Sequence, residues 1–239
     1  MPSELKWQYN EMKQIGTDYQ DYKTVKVYDE RMARLRDVKG EVEEIKESIG
    51  LKKEQTVLEI GCGTGEFVVE IAKCCRRVLA IDISPVMLEY ARKKAASKQL
   101  RNISFINSGF LTYEHTDKPV DVVVSQIALH HLPDFWKMVA LRRIHQMLKE
   151  EGKLYLRDVV FSFDIKRYEE SINDWIESIS ETAGKKMAQE TEMHIRDEYS
   201  TYGWVMEEML SRSGFSVDKA DYMGKFMAVY ICTKKKVKV

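Results

Sequence analysis

Three groups of residues have types and spacings suited to chemistry. The first is Glu59-Ile-Gly61-Cys62-Gly63-Thr-Gly65, followed twenty-one residues after Gly61 by Asp82. Glycines let a ligand approach the backbone because no Cβ stands in the way. An acid at the tip of the next strand can accept hydrogen bonds from ribose hydroxyls, so the pattern signals a nucleoside site. The second group is His130-His131, a residue type suited to proton transfer near neutral pH. The third is Arg157-Asp158, which interrupts an apolar run over 153–163. Successive strand residues face opposite sides, and a buried charge needs a partner. Asp158 therefore reads as either a salt-bridged structural acid or a substrate contact. The histidines read either as catalytic groups or as one packed and one solvated residue.

These residues need strands and helices to position them. Thr56 to Ile60 is a short apolar, β-branched run expected to form a buried parallel strand, and Glu66 opens a helix. Arg77 to Asp82 reads as the second strand, with Ser84-Pro85 as N-cap and first residue of a helix running to about Lys98. Ile103–Ile106, Val120–Ser125 and Lys153–Phe163 read as strands three to five. Asp134 is expected to cap a helix that runs through Lys149. The dinucleotide fingerprint Gly-x-Gly-x-x-Gly fails at Glu66, whose carboxylate would repel a pyrophosphate. Glu59 adds a second acid beside the loop. Two acids there favour a ligand with positive charge, which makes a nicotinamide enzyme a distant reading.

Val57-Leu-Glu-Ile-Gly-Cys-Gly-Thr-Gly resembles the first motif of class I S-adenosylmethionine-dependent methyltransferases, and Asp82 matches the acid of their second motif. Ala128-Leu-His-His-Leu-Pro-Asp134 is similar to the fourth-strand segment of the ubiquinone/menaquinone-biosynthesis-like, small-molecule branch. The resemblance implies an α/β fold: a seven-stranded, mostly parallel Rossmann-like sheet of order 3-2-1-4-5-7-6, last strand antiparallel, with helices on both faces. It implies S-adenosyl-L-methionine as cofactor and S-adenosyl-L-homocysteine as product. Gly61, Cys62, Gly63 and Gly65 then form the cofactor loop beside Glu59, and Asp82 contacts the ribose. Ile83 and Phe110 neighbour the adenine, Gln126 lies near the methionine end, and Tyr28 closes over the site. Gly109 stands where the family usually has an acid for the adenine amino group, which leaves the source of that contact open.

One methyltransferase domain is expected over 1–239. Residues 1–50 form an N-terminal helical cap and 51–163 the cofactor-binding core, followed by a lid-like insertion at 164–200. A closing helix and strand pair occupy 201–239. Met32, Leu35, Val38, Val42, Ile45 and Ile49 recur at helical spacing and predict one helix over 29–49, ended by Gly50. Ile165, Tyr168, Ile172, Trp175, Ile176 and Ile179 form an amphipathic stripe in the insertion. Ligands of open α/β sheets bind beyond the carboxyl ends of the strands, where this insertion starts, so a lid is expected. His130 and Asp158 are the catalytic candidates. His131, Arg157, Tyr199 and Tyr202 are candidates for the substrate pocket, with Trp204 nearby.

The 239 residues carry 38 basic and 38 acidic side chains, so no global field recruits nucleic acid. No apolar run approaches membrane-spanning length. The four cysteines have no zinc spacing, and the histidines lack an HxxxH or HxH arrangement, so no metal is expected. A cytoplasmic enzyme, monomer or homodimer, follows as the expectation. It transfers a methyl group to an O, N, S or C atom of a small molecule. An RNA or protein methyltransferase and a non-catalytic, S-adenosylmethionine-binding regulatory protein are the alternatives. The tail from Lys234 reads as a solvated terminus.

Overall fold

A computed structural model describes residues 6–13, 15–33 and 36–236. Its sheet runs, edge to edge, β3 (Ile103–Asn107), β2 (Arg77–Asp82), β1 (Thr56–Ile60), β4 (Val120–Gln126), β5 (Leu148–Phe161), β8 (Met227–Lys234) and β7 (Phe215–Tyr222). The first five are parallel, and β8 is antiparallel to both its neighbours. This is the expected Rossmann-like order, with one strand more than the seven expected. The addition is β6 (Thr201–Tyr202), two residues paired with Val160 and Phe161 at the end of β5.

The alternation of strand side chains builds two apolar layers. Leu58, Leu79, Val123 and Leu154 face one layer, under α6 (Asp134–Met147) and α9 (Gly203–Arg212). Val57, Val78, Val122 and Tyr155 face the other, under α3 (Val38–Ile49), α4 (Glu66–Ile71) and α5 (Pro85–Ser97). Burial on both faces explains why the central strands read as unbroken apolar runs. Helix α5 begins as expected: the Ser84 side chain accepts from Met87 N at 3.1 Å, with Pro85 in the first turn.

Several boundaries differ from the sequence-based expectation. Residues 29–49 are not one helix. Two short helices, α1 (Tyr22–Lys26) and α2 (Tyr28–Met32), precede α3, which Asp37 caps by accepting from Gly40 N at 3.2 Å. Leu35 lies outside the described residues, as do 237–239 of the tail. Helix α6 starts after Pro133, so Asp134 is its first residue; the carboxylate instead takes Lys137 at 2.7 Å and Thr201 at 3.1 Å. The insertion is a helical hairpin rather than one stripe. Helix α7 (Tyr168–Ala183) turns at Gly184, φ +91°, into α8 (Lys185–Asp197). Its outcome for the site is decisive, because α8 delivers His194 and the residues after it deliver Glu198.

Candidate active site

A cavity of about 450 Å³ opens at the carboxyl ends of β1, β2 and β4. Asp82 ends β2 and is buried. Its carboxylate accepts from Gly63 N at 2.7 Å and Ser84 N at 2.8 Å, which ties the glycine turn to the strand tip. Burial raises its pKa while those N–H groups oppose the rise. Gly61, Gly63 and Gly65 all have positive φ, which L-residues with side chains disfavour. Their functions differ. Gly61, Cys62 and Gly63 line the cavity; Gly65 is the N-cap of α4, where a Cβ would stand 2.8 Å from Ala91 Cβ. Gly65 thus permits close approach of α4 and α5. Cys62 is buried, and burial raises its thiol well above the ordinary range, which disfavours a thiolate.

Beside the loop sits a charged network. Arg36 holds Glu41 through paired hydrogen bonds and donates to Gln126 Oε1 at 2.9 Å, and Arg157 pairs with the same Glu41. The two guanidinium groups keep the Glu41 pKa low against its burial. Glu59 is different. Burial pushes it up to about 8 against the Arg36 charge, and its Oε2 has no hydrogen-bond partner among the described residues. Arg157 Nε is likewise buried without one among them. Unpaired buried polar atoms are uncommon enough that a ligand is the natural partner. Glu66 does not face a phosphate site: Lys94 pairs with both Glu66 and Asp29, and Asp29 reaches Thr64.

At the other end of the cavity three histidines surround one carboxylate. Glu198 Oε2 lies 2.5 Å from His194 Nδ1, 3.2 Å from His130 Nε2 and 3.8 Å from His131 Nδ1. Behind His130, fully buried Asp158 takes His130 Nδ1 at 2.5 Å and His130 N at 3.1 Å. Burial alone would lower the His130 pKa, but Asp158 and Glu198 outweigh it and raise it to about 9. Burial and the neighbouring His130 push His131 down to about 4. Hydrogen bonds from His130 and His194 hold Glu198 well below the usual carboxylate range despite its burial. At neutral pH the cluster is an imidazolium between two carboxylates, with a neutral His131 at its edge.

Most sequence-predicted site residues meet here. Tyr28, Glu59, Gly61, Cys62, Gly63, Asp82, Ile83, Gly109, Phe110, Gln126, His130, His131 and Arg157 line the cavity. Asp158 does not: it stands behind His130 and positions it. Tyr199 and Tyr202 lie outside the lining. Tyr199 N donates to His130 O and its ring edge meets Tyr9, while Tyr202 packs on Phe161 and Trp204. Arg157 is on the Glu41 side, near Gln126, rather than among the histidines. Sequence reasoning missed Glu11, Arg36, His194 and Glu198. None carries a local motif; only the insertion's position in the chain pointed toward the last two.

Glu11 stands beside Gly109. A Cβ on Gly109 would stand 2.5 Å from Glu11 Oε2 and closer still to Glu11 Cδ. Glu11 Oε1 accepts from Leu111 N, Thr112 N and Thr112 Oγ1 at 2.7–2.8 Å. Burial raises its pKa against these donors. A carboxylate from the N-terminal segment thus fills the space of the side chain that Gly109 lacks.

Comparison with known proteins agrees with this geometry. A family model described as a methyltransferase domain matches residues 57–152. An uncharacterized methyltransferase from Geobacillus kaustophilus is 31% identical over 198 residues, 83% of this chain and 85% of the relative. A SAM-dependent methyltransferase from Aquifex aeolicus superposes with a TM-score of 0.64 at 20% identity, covering 90% of this chain and 98% of that one. The magnesium protoporphyrin IX methyltransferase of Synechocystis, solved with bound SAH, superposes at 0.57 and 16% identity, covering 83% and 81%.

The raised His130 pKa makes stability depend on pH. A group whose pKa is higher when folded contributes stability that is complete below its unfolded value and disappears as pH rises through the folded one. For His130 the window runs from 6.5 to about 9. The unfolding free energy from denaturant titrations in chelator-containing buffer should fall across that window in the wild type, by up to about 3 kcal/mol. The His130→Asn variant should lose that dependence; equal slopes in both proteins would refute the assignment.

Proposed function

The chain belongs to the class I S-adenosylmethionine-dependent methyltransferases, and from that premise we propose that it methylates a small-molecule acceptor through a protic atom, a hydroxyl or thiol. One observation carries this reading: the same cavity joins the Asp82 loop at one end to the His130–Glu198 cluster at the other. S-Adenosylmethionine is the cofactor. Its ribose is assigned to Asp82, its ammonium to the unpartnered oxygen of Glu59 and its carboxylate to Arg36. The methyl group is already electrophilic on a sulfonium, so the protein chiefly aligns the acceptor and excludes water.

The cluster then acts on the acceptor's proton. His131, His194 and Glu198 face the cavity, so an X–H group placed there meets polar atoms that can draw its proton away. Asp158 is a positioning residue that accepts from His130 Nδ1 and so fixes the ring's orientation. Trp175, Ile179, Met187 and Met227 supply apolar walls for the acceptor's body. Helices α7 and α8 and the N-terminal segment roof the cavity, which suits a small molecule better than RNA or a folded protein. The four free cysteines suit a reducing compartment such as the cytoplasm, and no described helix is long and apolar enough to cross a membrane.

Glu11 is assigned to the adenine amino group, in place of the acid absent at Gly109. A carboxylate accepts from that amino group, whereas the keto oxygen of a deaminated base would face it acceptor to acceptor. Calorimetry should therefore show the wild type preferring S-adenosylhomocysteine over S-inosylhomocysteine. The Glu11→Gln variant, which presents an amide, should reduce that preference by about tenfold, roughly one hydrogen bond. An unchanged preference in a folded variant excludes the contact.

The function itself is tested with labelled S-adenosylmethionine and pooled thiols, phenols, alcohols, amines, carboxylic acids, bulk RNA and protein. Label in a thiol or hydroxyl pool is the expected result. Label confined to RNA or protein refutes the small-molecule reading. Cofactor binding with no transfer to any pool favours a regulatory protein.

A further inference from the structure

The histidine cluster has the anatomy of a metal site as well as that of a proton relay. His130, His131 and Glu198 each offer one ligand atom within 4.8 Å of the other two, and all three residues line the cavity. Two bonds of about 2.1 Å at a tetrahedral angle place ligand atoms about 3.4 Å apart. His130 Nε2 and Glu198 Oε2 are 3.2 Å apart, and His131 Nδ1 is 3.8 Å from the same oxygen.

The surrounding hydrogen bonds carry the argument further. Metal-bound histidines characteristically donate their second ring nitrogen to a carboxylate or carbonyl, and ligating carboxylates are themselves hydrogen-bonded. His130 Nδ1 meets buried Asp158 at 2.5 Å. Glu198 is held by His194 at 2.5 Å, and His194 Nε2 meets Ser200 Oγ at 2.8 Å. Two of the three ligands are thus already oriented from behind. A carboxylate oxygen offers two lone pairs, yet three ring nitrogens converge on Glu198 Oε2. His130 and His194 stand at hydrogen-bonding distance, so His131 Nδ1, at 3.8 Å, is not satisfied by that oxygen.

The geometry points to a divalent transition-metal site, of the Zn²⁺ class, formed by His130, His131 and Glu198 with its open position toward the cavity. Two imidazoles and a carboxylate suit Zn²⁺, Co²⁺ or Fe²⁺ better than Mg²⁺ or Ca²⁺, which prefer all-oxygen shells. Its catalytic role rests on the proposed methyl transfer. A hydroxyl or thiol coordinated at the open position becomes more acidic and releases its proton to water. The oxygen or sulfur then bonds to the methyl carbon, the carbon–sulfonium bond breaks, and its electron pair returns to sulfur to give neutral S-adenosylhomocysteine. The sequence expectation of no metal used spacing along the chain. Glu198 is sixty-seven residues from His131 and reaches the site only through the helical hairpin.

The test is direct binding of metal to the whole, chelator-stripped protein without cofactor or acceptor. Calorimetry with Zn²⁺ should show one site per chain, and Co²⁺ should give the visible absorption of a four- or five-coordinate ion. Glu198→Gln and His131→Ala should each weaken binding at least about tenfold, while His115→Ala, outside the cluster, should not. Circular dichroism and S-adenosylhomocysteine binding verify that each variant is folded, and one folded variant suffices. Binding that is absent, or insensitive to both cluster substitutions, overturns the site. Methyl transfer by a protein that binds no metal leaves the function standing and removes the ion. Specific metal binding without transfer to any pool does the reverse.

Discussion

A buried carboxylate with no ion-pair partner among the described residues governs this protein. Asp82 sits at the tip of β2 and is satisfied by two backbone N–H groups, from Gly63 and Ser84. Charge-assisted bonds of that kind are stronger than neutral ones, and here they fix both the glycine turn and the entry to α5. Gly61 N and Cys62 N complete the clasp by donating to Ile81 O. The turn can take this path only because its glycines tolerate positive φ. Displacing either backbone donor would leave a buried carboxylate under-satisfied, at a cost of about 1–3 kcal/mol or more. Asp82 also lines the cavity, so one constraint both builds the loop and leaves the carboxylate in the cavity wall.

Charge is divided along the cavity. Acids cluster near the loop, while Arg36 and Arg157 share Glu41 on the Gln126 side. At the histidine cluster, His130 lies between Asp158 and Glu198. The N-terminal segment takes part rather than merely covering the site. Glu11 occupies the space beside Gly109, Asp29 reaches both Thr64 and Lys94, and Tyr19 O accepts from Ser84. Such contacts make the N-terminal segment part of the cavity wall.

Local chemistry was readable in the chain because its causes are local. The strand–glycine–helix passage at 56–66, the acid at 82 and the Ser84-Pro85 helix start each depend on neighbours within a few residues, and each appears where expected. The strand order followed from resemblance. What escaped were relations across the fold. Nothing near Glu11 marks it as the complement of Gly109, about a hundred residues away. His194 and Glu198, near and just past the end of α8, carry no local motif and reach the site only because α7 and α8 fold back over the strand tips. Tyr199 and Tyr202 illustrate the converse: they are close in sequence to Glu198, but their rings pack outward against Tyr9 and Phe161. The break between α2 and α3 was hidden because apolar spacing continues across it.

Asp82 therefore offers the most direct measurement: calorimetric titration of S-adenosylhomocysteine into the wild type and into folded Asp82→Ala. Two charge-assisted hydrogen bonds to ribose predict one site in the wild type and roughly hundredfold weaker binding in the variant. Equal affinity in the two proteins would contradict the account, because the ligand could not then lie across the strand tip around which the cavity is built.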